Sequence, residues 1–196
     1  MVRPREFDRD QALERAMRVF WSKGYAGTST EDLLTAMDIG RQSLYNAFGD
    51  KRKLYLEALE RYQEQSLAAH IHRLTRGSTA LDGIKALLLG SIATNADERG
   101  NGCMVANSTA EFGTTDAEVN AIRAAGEKRL KKPLLARIAE AQTNAEIDSH
   151  MNAEDVARFI VATMQSLQLG ARGGMTPAAL RRHASFAIER LTAQSA

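Results

Sequence analysis

The sequence predicts an all-α protein, a small amino-terminal unit of three short helices followed by a larger helical unit. Three observations lead there. Apolar residues recur at three- and four-residue spacing along nearly the whole chain, and no segment alternates as a strand would. The 196 residues include only three prolines, and Ser, Thr, Asp or Asn stands ahead of the helical runs where an N-cap belongs. Residues 28–55, TSTEDLLTAMDIGRQSLYNAFGDKRKLY, then compress two short helical patterns, a break and a basic cluster into one stretch.

Taken in order, Ala12, Leu13, Ala16, Met17, Val19 and Phe20 make the apolar stripe of a first helix over 8–23, which Lys23-Gly24 ends with a basic last turn and a C-cap glycine. Hydroxyls at Thr28, Ser29 and Thr30 followed by Glu31 and Asp32 open a second helix reaching Met37, with acids at the positive end of its dipole. Asp38-Ile39-Gly40 interrupts, and a third helix runs from Arg41 to Phe48. Asp50 caps a fourth, which carries Leu54, Tyr55, Ala58, Leu59 and Tyr62 and continues to about Leu74 as the connector out of the small unit.

The boundary is accordingly placed between residues 53 and 54, giving units 1–53 and 54–196. Beyond it, a helix is expected over 80–96, a polar loop over 97–102, and a segment CMVANSTAEFG over 103–113. A longer helical pattern covers 115–143, where Pro133 either kinks the helix or starts a new one. Asn152 caps an apolar helix to about Leu169, and Thr176-Pro177 opens the last one with a hydroxyl cap and proline at its first position.

Composition narrows the function. With 44% hydrophobic and 26% charged residues the chain is that of an ordinary globular protein. A single cysteine, Cys103, excludes an internal disulfide, and four scattered histidines make no metal-ligand set, so neither a metal nor a cofactor is expected. The start MVRPREFDRD reads as neither secretory signal nor anchor, and no segment has the roughly 18 apolar residues of a membrane span, so a cytoplasmic location is expected. A net charge of +2 is too small to identify a polyanionic partner; the position of charge must do so.

Residues 30–48 have the lengths of a helix-turn-helix, whose second helix enters the major groove and reads base edges from its first turns. Arg41, Gln42 and Ser43 stand at that helix's start and Asn46 a turn later. Arginine reads guanine in bidentate fashion, and Gln or Asn reads adenine. Thr30, Tyr45, Lys51, Arg52 and Lys53 are placed to hold phosphates, and Arg3 and Arg5 form a short arm for the backbone or a minor groove. Spacing alone equally fits two short helices with a basic solvated face.

The stretch from Ala16 to Tyr55 resembles the amino-terminal region of the TetR family of bacterial one-component regulators. The matching positions are Phe20, Gly24, Tyr25, Thr28 and Ser29, then Ser43, Leu44, Tyr45, Phe48 and Lys51. The turn departs from the family pattern, with Asp38 where glycine is usual and Gly40 where a hydroxyl is usual. The resemblance implies a DNA-binding head, a helical ligand-binding and dimerisation body, and a ligand-responsive repressor that grips a palindromic operator as a dimer. Double-stranded operator DNA and an unidentified small-molecule inducer are its implied partners.

Within the body, Val156, Phe159, Ile160, Thr163, Met164 and Leu167 on one helix and Leu180, Ala184, Phe186, Ala187 and Leu191 on the last are expected to pack against the same pair of a second subunit, or within a single one. Cys103 opens a helical pattern after Gly100-Asn101-Gly102, where a dipole, with Arg99 nearby, would stabilise a thiolate. The segment GCMVANS resembles the G-C-x-x-x-N segment of a TetR subgroup that includes electrophile-responsive repressors. Cys103 is thus either a thiol sensor or a packed core residue. Met104, Asn107, Phe112, Met164, Gln165 and Gln168 are the candidate pocket residues. Two other classes stay open on the residues alone: a cysteine-dependent enzyme, for which no second motif is present, and a non-specific basic helical adaptor.

Overall fold

The computed structural model describes residues 7–192, so the arm with Arg3 and Arg5 lies outside the described residues. Ten helices account for the architecture of the described residues: α1 (Arg9–Lys23), α2 (Thr30–Met37), α3 (Arg41–Phe48), α4 (Lys51–Thr75), α5 (Ala80–Leu89), α6 (Ala96–Asn101), α7 (Met104–Phe112), α8 (Ala117–Thr143), α9 (Ala153–Arg172) and α10 (Pro177–Leu191). Extended pairing among the described residues is limited to one bridge, Ile147 with Thr192.

Local chemistry sets most of the boundaries. Ser29 and Asp32 form a reciprocal capping box at the start of α2, and the side chains of Asp8, Asp50, Thr79, Asn152 and Thr176 accept amide hydrogens from the first turns of their helices. Asp38 ends α2 in the left-handed region with φ 56° and ψ 46°, a conformation that aspartate adopts more readily than most residues. Gly40, with no side chain, caps α3 through its backbone alone.

Two expectations are corrected and one alternative is removed. The loop expected over 97–102 contains α6, because the Asn95 carboxamide accepts from the amides of Asp97 and Glu98 at 2.8 and 3.2 Å and nucleates a turn. The helix expected to reach Ala96 stops at Leu89; a tight turn follows, with Ser91 and Ile92 donating to the carbonyls of Leu88 and Leu89, and it folds Ile92 back into the core. No new helix starts at Pro133. Ile122, Gly126, Leu130, Leu134, Ile138 and Ala141 form one buried stripe across it, and that packing offsets a proline cost of about 3 kcal/mol.

Two hydrophobic cores result. One gathers α1 to α3 and the first turns of α4, with Phe20, Leu33, Leu44, Leu54, Tyr55 and Leu59 almost fully buried, and it also takes in Met104, Val119 and Ile122 from α7 and α8. The other lies between the end of α4 and α5, α8, α9 and α10. Helix α4 therefore runs through both, and α8 lies against it. Where they meet, a Cβ on Gly126 would come within 2.4 Å of the Gln63 carboxamide, whose Nε2 donates to the Ile122 carbonyl at 2.6 Å, so a side chain there would displace that carboxamide.

Most residues assigned to a subunit interface lie in the second core instead. Val156, Ile160, Thr163, Met164 and Leu167, with Leu180, Ala184, Ala187 and Leu191, are buried within one chain. Only Phe159 and Phe186 of that set are exposed, since α9 and α10 spend their widest apolar faces on α5, α8 and each other. No described helix is long and apolar enough to cross a membrane.

Candidate nucleic-acid interface and effector cavity

The outward face of α3 is held from behind. Leu33 and Met37 of α2 and Leu44 and Phe48 of α3 pack against Leu13, Ala16, Met17 and Phe20 of α1. Burying that stripe of α3 turns Arg41, Gln42, Tyr45 and Asn46 outward on the opposite face, one turn apart. Ser43 is half-buried at the edge of this face. Tyr45 is 46% exposed, a large aromatic left on the surface.

Three of these groups are engaged in the free protein. Arg41 forms an ion pair with Glu31 at the start of α2, and the Gln42 Nε2 donates to the Asn46 Oδ1 at 2.9 Å. Beside them, Lys23 donates to the Asp32 carboxylate at 2.6 Å, which with the Ser29 amide holds that carboxyl well below the usual range. Acids of this stretch are thus spent on caps and pairs.

The phosphate-binding candidates separate. Thr30 is half-buried at the first turn of α2, and Lys53 is exposed at the first turn of α4. The Lys51 ammonium lies 4.3 Å from the Tyr25 ring centroid, a cation–π contact at the edge of the surface. Arg52 is the correction. Its guanidinium donates to Asp116 at 2.6 Å and to Glu118 at 3.2 Å, with 27% of the side chain exposed. Consecutive residues project about 100° apart on a helix, so Lys51, Arg52 and Lys53 cannot all face one ligand. Arg52 faces α8.

The body candidates are also dispersed. Met104 belongs to the first core and Met164 to the second. Phe112 packs at a tilt against Tyr25 and Tyr55, with centroids 5.7 and 5.4 Å away. Asn107 donates to the Asn101 carbonyl at 2.9 Å, and Gln165 is exposed on α9. Cys103 is the N-cap of α7 and only 8% exposed; burial pushes its thiol up, against the expected thiolate stabilisation. The Arg99 guanidinium, expected to assist, donates instead to the carbonyls of Ala93 and Thr94 at 3.1 Å.

Of the seven, Gln168 alone lines a half-open cavity of about 690 Å³ between α1, α4, the α5–α6 connection and α9. That volume suits a small molecule. Trp21, Tyr62, His70, Glu98 and Asn101 contribute to its wall. The Trp21 indole donates to the Gly102 carbonyl at 3.1 Å and meets Tyr62 edge to face at 5.0 Å. Sequence reasoning missed the Trp21–Tyr62 pair. The one signal was that Trp21 is a large aromatic lying off the buried stripe of its own helix.

Burial, with Arg73 adding to it, holds the His70 imidazole down to about 4 from its ordinary 6.5, while its Nε2 lies 3.1 Å from the Ser66 hydroxyl. A folded-state value below the unfolded one means that the unfolded chain binds the extra proton first. The stability linked to His70 is therefore complete above pH 6.5 and is lost as pH falls toward 4, by up to about 3 kcal/mol. Melting temperatures measured from pH 7.5 to 4 should fall less steeply for His70→Gln than for the parent chain; identical slopes would mean that the imidazole is hydrated.

A helix presenting Arg, Gln, Tyr and Asn from a three-helix head on a larger helical body defines a helix-turn-helix transcriptional regulator. Residues 12–58 match the family model described as bacterial regulatory proteins of the tetR family, and residues 80–186 that of the tetracyclin repressor-like C-terminal domain. The chain belongs to the TetR family of transcriptional regulators. It is 33% identical over 173 residues to the uncharacterised HTH-type transcriptional regulator YezE of Bacillus subtilis, spanning 85% of this chain and 87% of that one. It is 27% identical over 174 residues to the HTH-type transcriptional repressor ComR of Escherichia coli, spanning 88% and 83%. Among solved structures, a cysteine mutant of the TetR regulator CifR in complex with 26-bp operator DNA superposes with a TM-score of 0.80 at 31% identity, covering 96% of this chain and 99% of that one. These relatives are regulators, which removes the enzyme reading.

Proposed function

We propose that this chain is a cytoplasmic, ligand-responsive repressor that binds an inverted-repeat operator as a homodimer. The observation that carries the reading is the outward face of α3. Arg41, Gln42 and Asn46 are exposed together on a helix whose other side is locked into the core, flanked by Thr30, Tyr45, Lys51 and Lys53. ComR bears the name of a repressor and CifR is seen with operator DNA, which supports the same role here.

For the second copy, the residue of apolar surface on α9 and α10 supplies the contact. Phe159, Leu169 and Phe186 are exposed, and the Ser166 hydroxyl lies 3.4 Å from His183 Nε2, so the outer faces of the two helices adjoin. The small-molecule inducer is assigned to the cavity walled by Trp21, Tyr62 and Gln168, because that space touches both the head, through α1, and the body. An occupant that prefers a different head position shifts the dimer away from its DNA-binding state.

Selection of bound duplexes from a random pool tests the reading, with an enriched inverted repeat as the expected result. On that operator, Arg41→Ala should lose about 1–3 kcal/mol of discrimination against random DNA. Lys53→Ala should weaken both duplexes together and reduce the salt slope by about 1. Binding with no enriched sequence would establish the non-specific adaptor instead.

A further inference from the structure

The turn between α1 and α2 exposes backbone amides that neither helix satisfies, and a residue from the body satisfies them. The Glu111 carboxylate, near the end of α7, accepts from the amide of Tyr25 at 3.0 Å and from that of Ala26 at 2.6 Å. These partners lie 86 and 85 positions away in the sequence. Gly24, with φ 74°, lets the chain present both amides side by side, and a Cβ there would sit 3.1 Å from Glu111 Oε2. The carboxylate thus lies directly against the backbone.

Two other points tie the same head to the same body. The Trp21 indole donates to the Gly102 carbonyl at 3.1 Å, and Arg52 at the start of α4 pairs with Asp116 at 2.6 Å. Tyr25, Tyr55 and Phe112 fill the space between them. Three separated attachments fix the orientation of one body on another, and Glu111 is the one that grips the helix-turn-helix unit next to α2. Both of its bonds are charge-assisted, and so stronger than neutral ones. Because it stands at an exposed edge, water can replace it on the two amides at little cost to folding.

We propose that Glu111 is a positioning residue for DNA binding, setting the orientation of the reading head on the body and hence the separation of the two α3 helices in the dimer. This rests on the dimeric-operator reading above. Register on DNA is steep in this separation, since each inserted base pair moves a half-site by about 3.4 Å along the axis and about 35° around it. A carboxylate is required. The carboxamide of Glu111→Gln would turn one N–H donor toward another, and Glu111→Asp is one methylene short.

The full chain and its Glu111→Gln and Glu111→Ala variants are measured on the selected operator, on operators with one or two base pairs added to or removed from the spacer, and on a single half-site. Expected is a roughly tenfold or greater loss on the native operator with less than about a twofold change on the half-site, because only simultaneous engagement depends on head orientation. Preference among spacer lengths should also flatten, while thermal unfolding stays near that of the parent. Parent-like affinity and spacer preference in both variants would overturn the proposal, as would equal losses on operator and half-site, which mark a purely structural role. A parent chain indifferent to spacer length would overturn the dimeric-operator reading itself, and the role of Glu111 with it.

Discussion

Tyr55→Ala is expected to destabilise the protein by about 3–5 kcal/mol, the cost of emptying a large aromatic site in a packed core. Tyr55 is almost fully buried where head and body meet, edge to face with Phe20 at 5.1 Å and against Tyr25 at 5.1 Å and Phe112 at 5.4 Å. These contacts add to area burial, because aromatic pairs in such geometry are worth about 0.5–1.5 kcal/mol each. Urea unfolding followed by circular dichroism measures the loss, with Tyr55→Phe as the packing control. A cost below about 1 kcal/mol would mean that the site collapses around the missing ring.

Phe186→Glu combined with Leu169→Glu should leave folding nearly intact and destroy tight operator binding. The two side chains are 60% and 70% exposed in the single chain, where a surface change is worth within about 0.5 kcal/mol. Buried in a two-fold interface, the same positions would set introduced charges against apolar surface and against their own copies. The mass in solution should halve. Affinity for the inverted repeat should fall by a factor on the order of 10² or more as the second half-site contact is lost, while half-site binding persists. A variant that stays dimeric would place the interface on other helices.

The two expectations concern different faces of one design. The head is built on the body through a shared core, so a hole at Tyr55 disturbs both. The outward surface of α9 and α10, proposed to join two copies, contributes to neither core.

Reading α2, the turn and α3 from sequence succeeded because each boundary is decided within a few residues. A capping box spans four positions, a left-handed Asp38 is intrinsic to one, and the alternation of Leu44 and Phe48 with Arg41, Gln42 and Asn46 is a property of helical period alone. Cys103 shows the limit of that locality. A helix amino terminus lowers a thiol, but the fold encloses this one, and desolvation outweighs the dipole. Charge type at Arg52 was equally uninformative, since the same guanidinium serves a phosphate or a carboxylate and only its direction from α4 chooses between them.

Most helices and caps, and the side chains α3 turns outward, were legible in the sequence, because hydrogen bonds and hydrophobic period within single helices suffice for those; α6 and the early end of α5 were not. Tertiary structure alone decided that Arg52 meets Asp116, that Glu111 closes on the amides of Tyr25 and Ala26, and that Trp21, Tyr62 and Gln168 surround one cavity. The physical reason is distance along the chain. Each of those contacts joins elements 41 or more positions apart, as Trp21 and Tyr62 are, and exists only once the packing of α1, α4, α7, α8 and α9 has brought them to the same place.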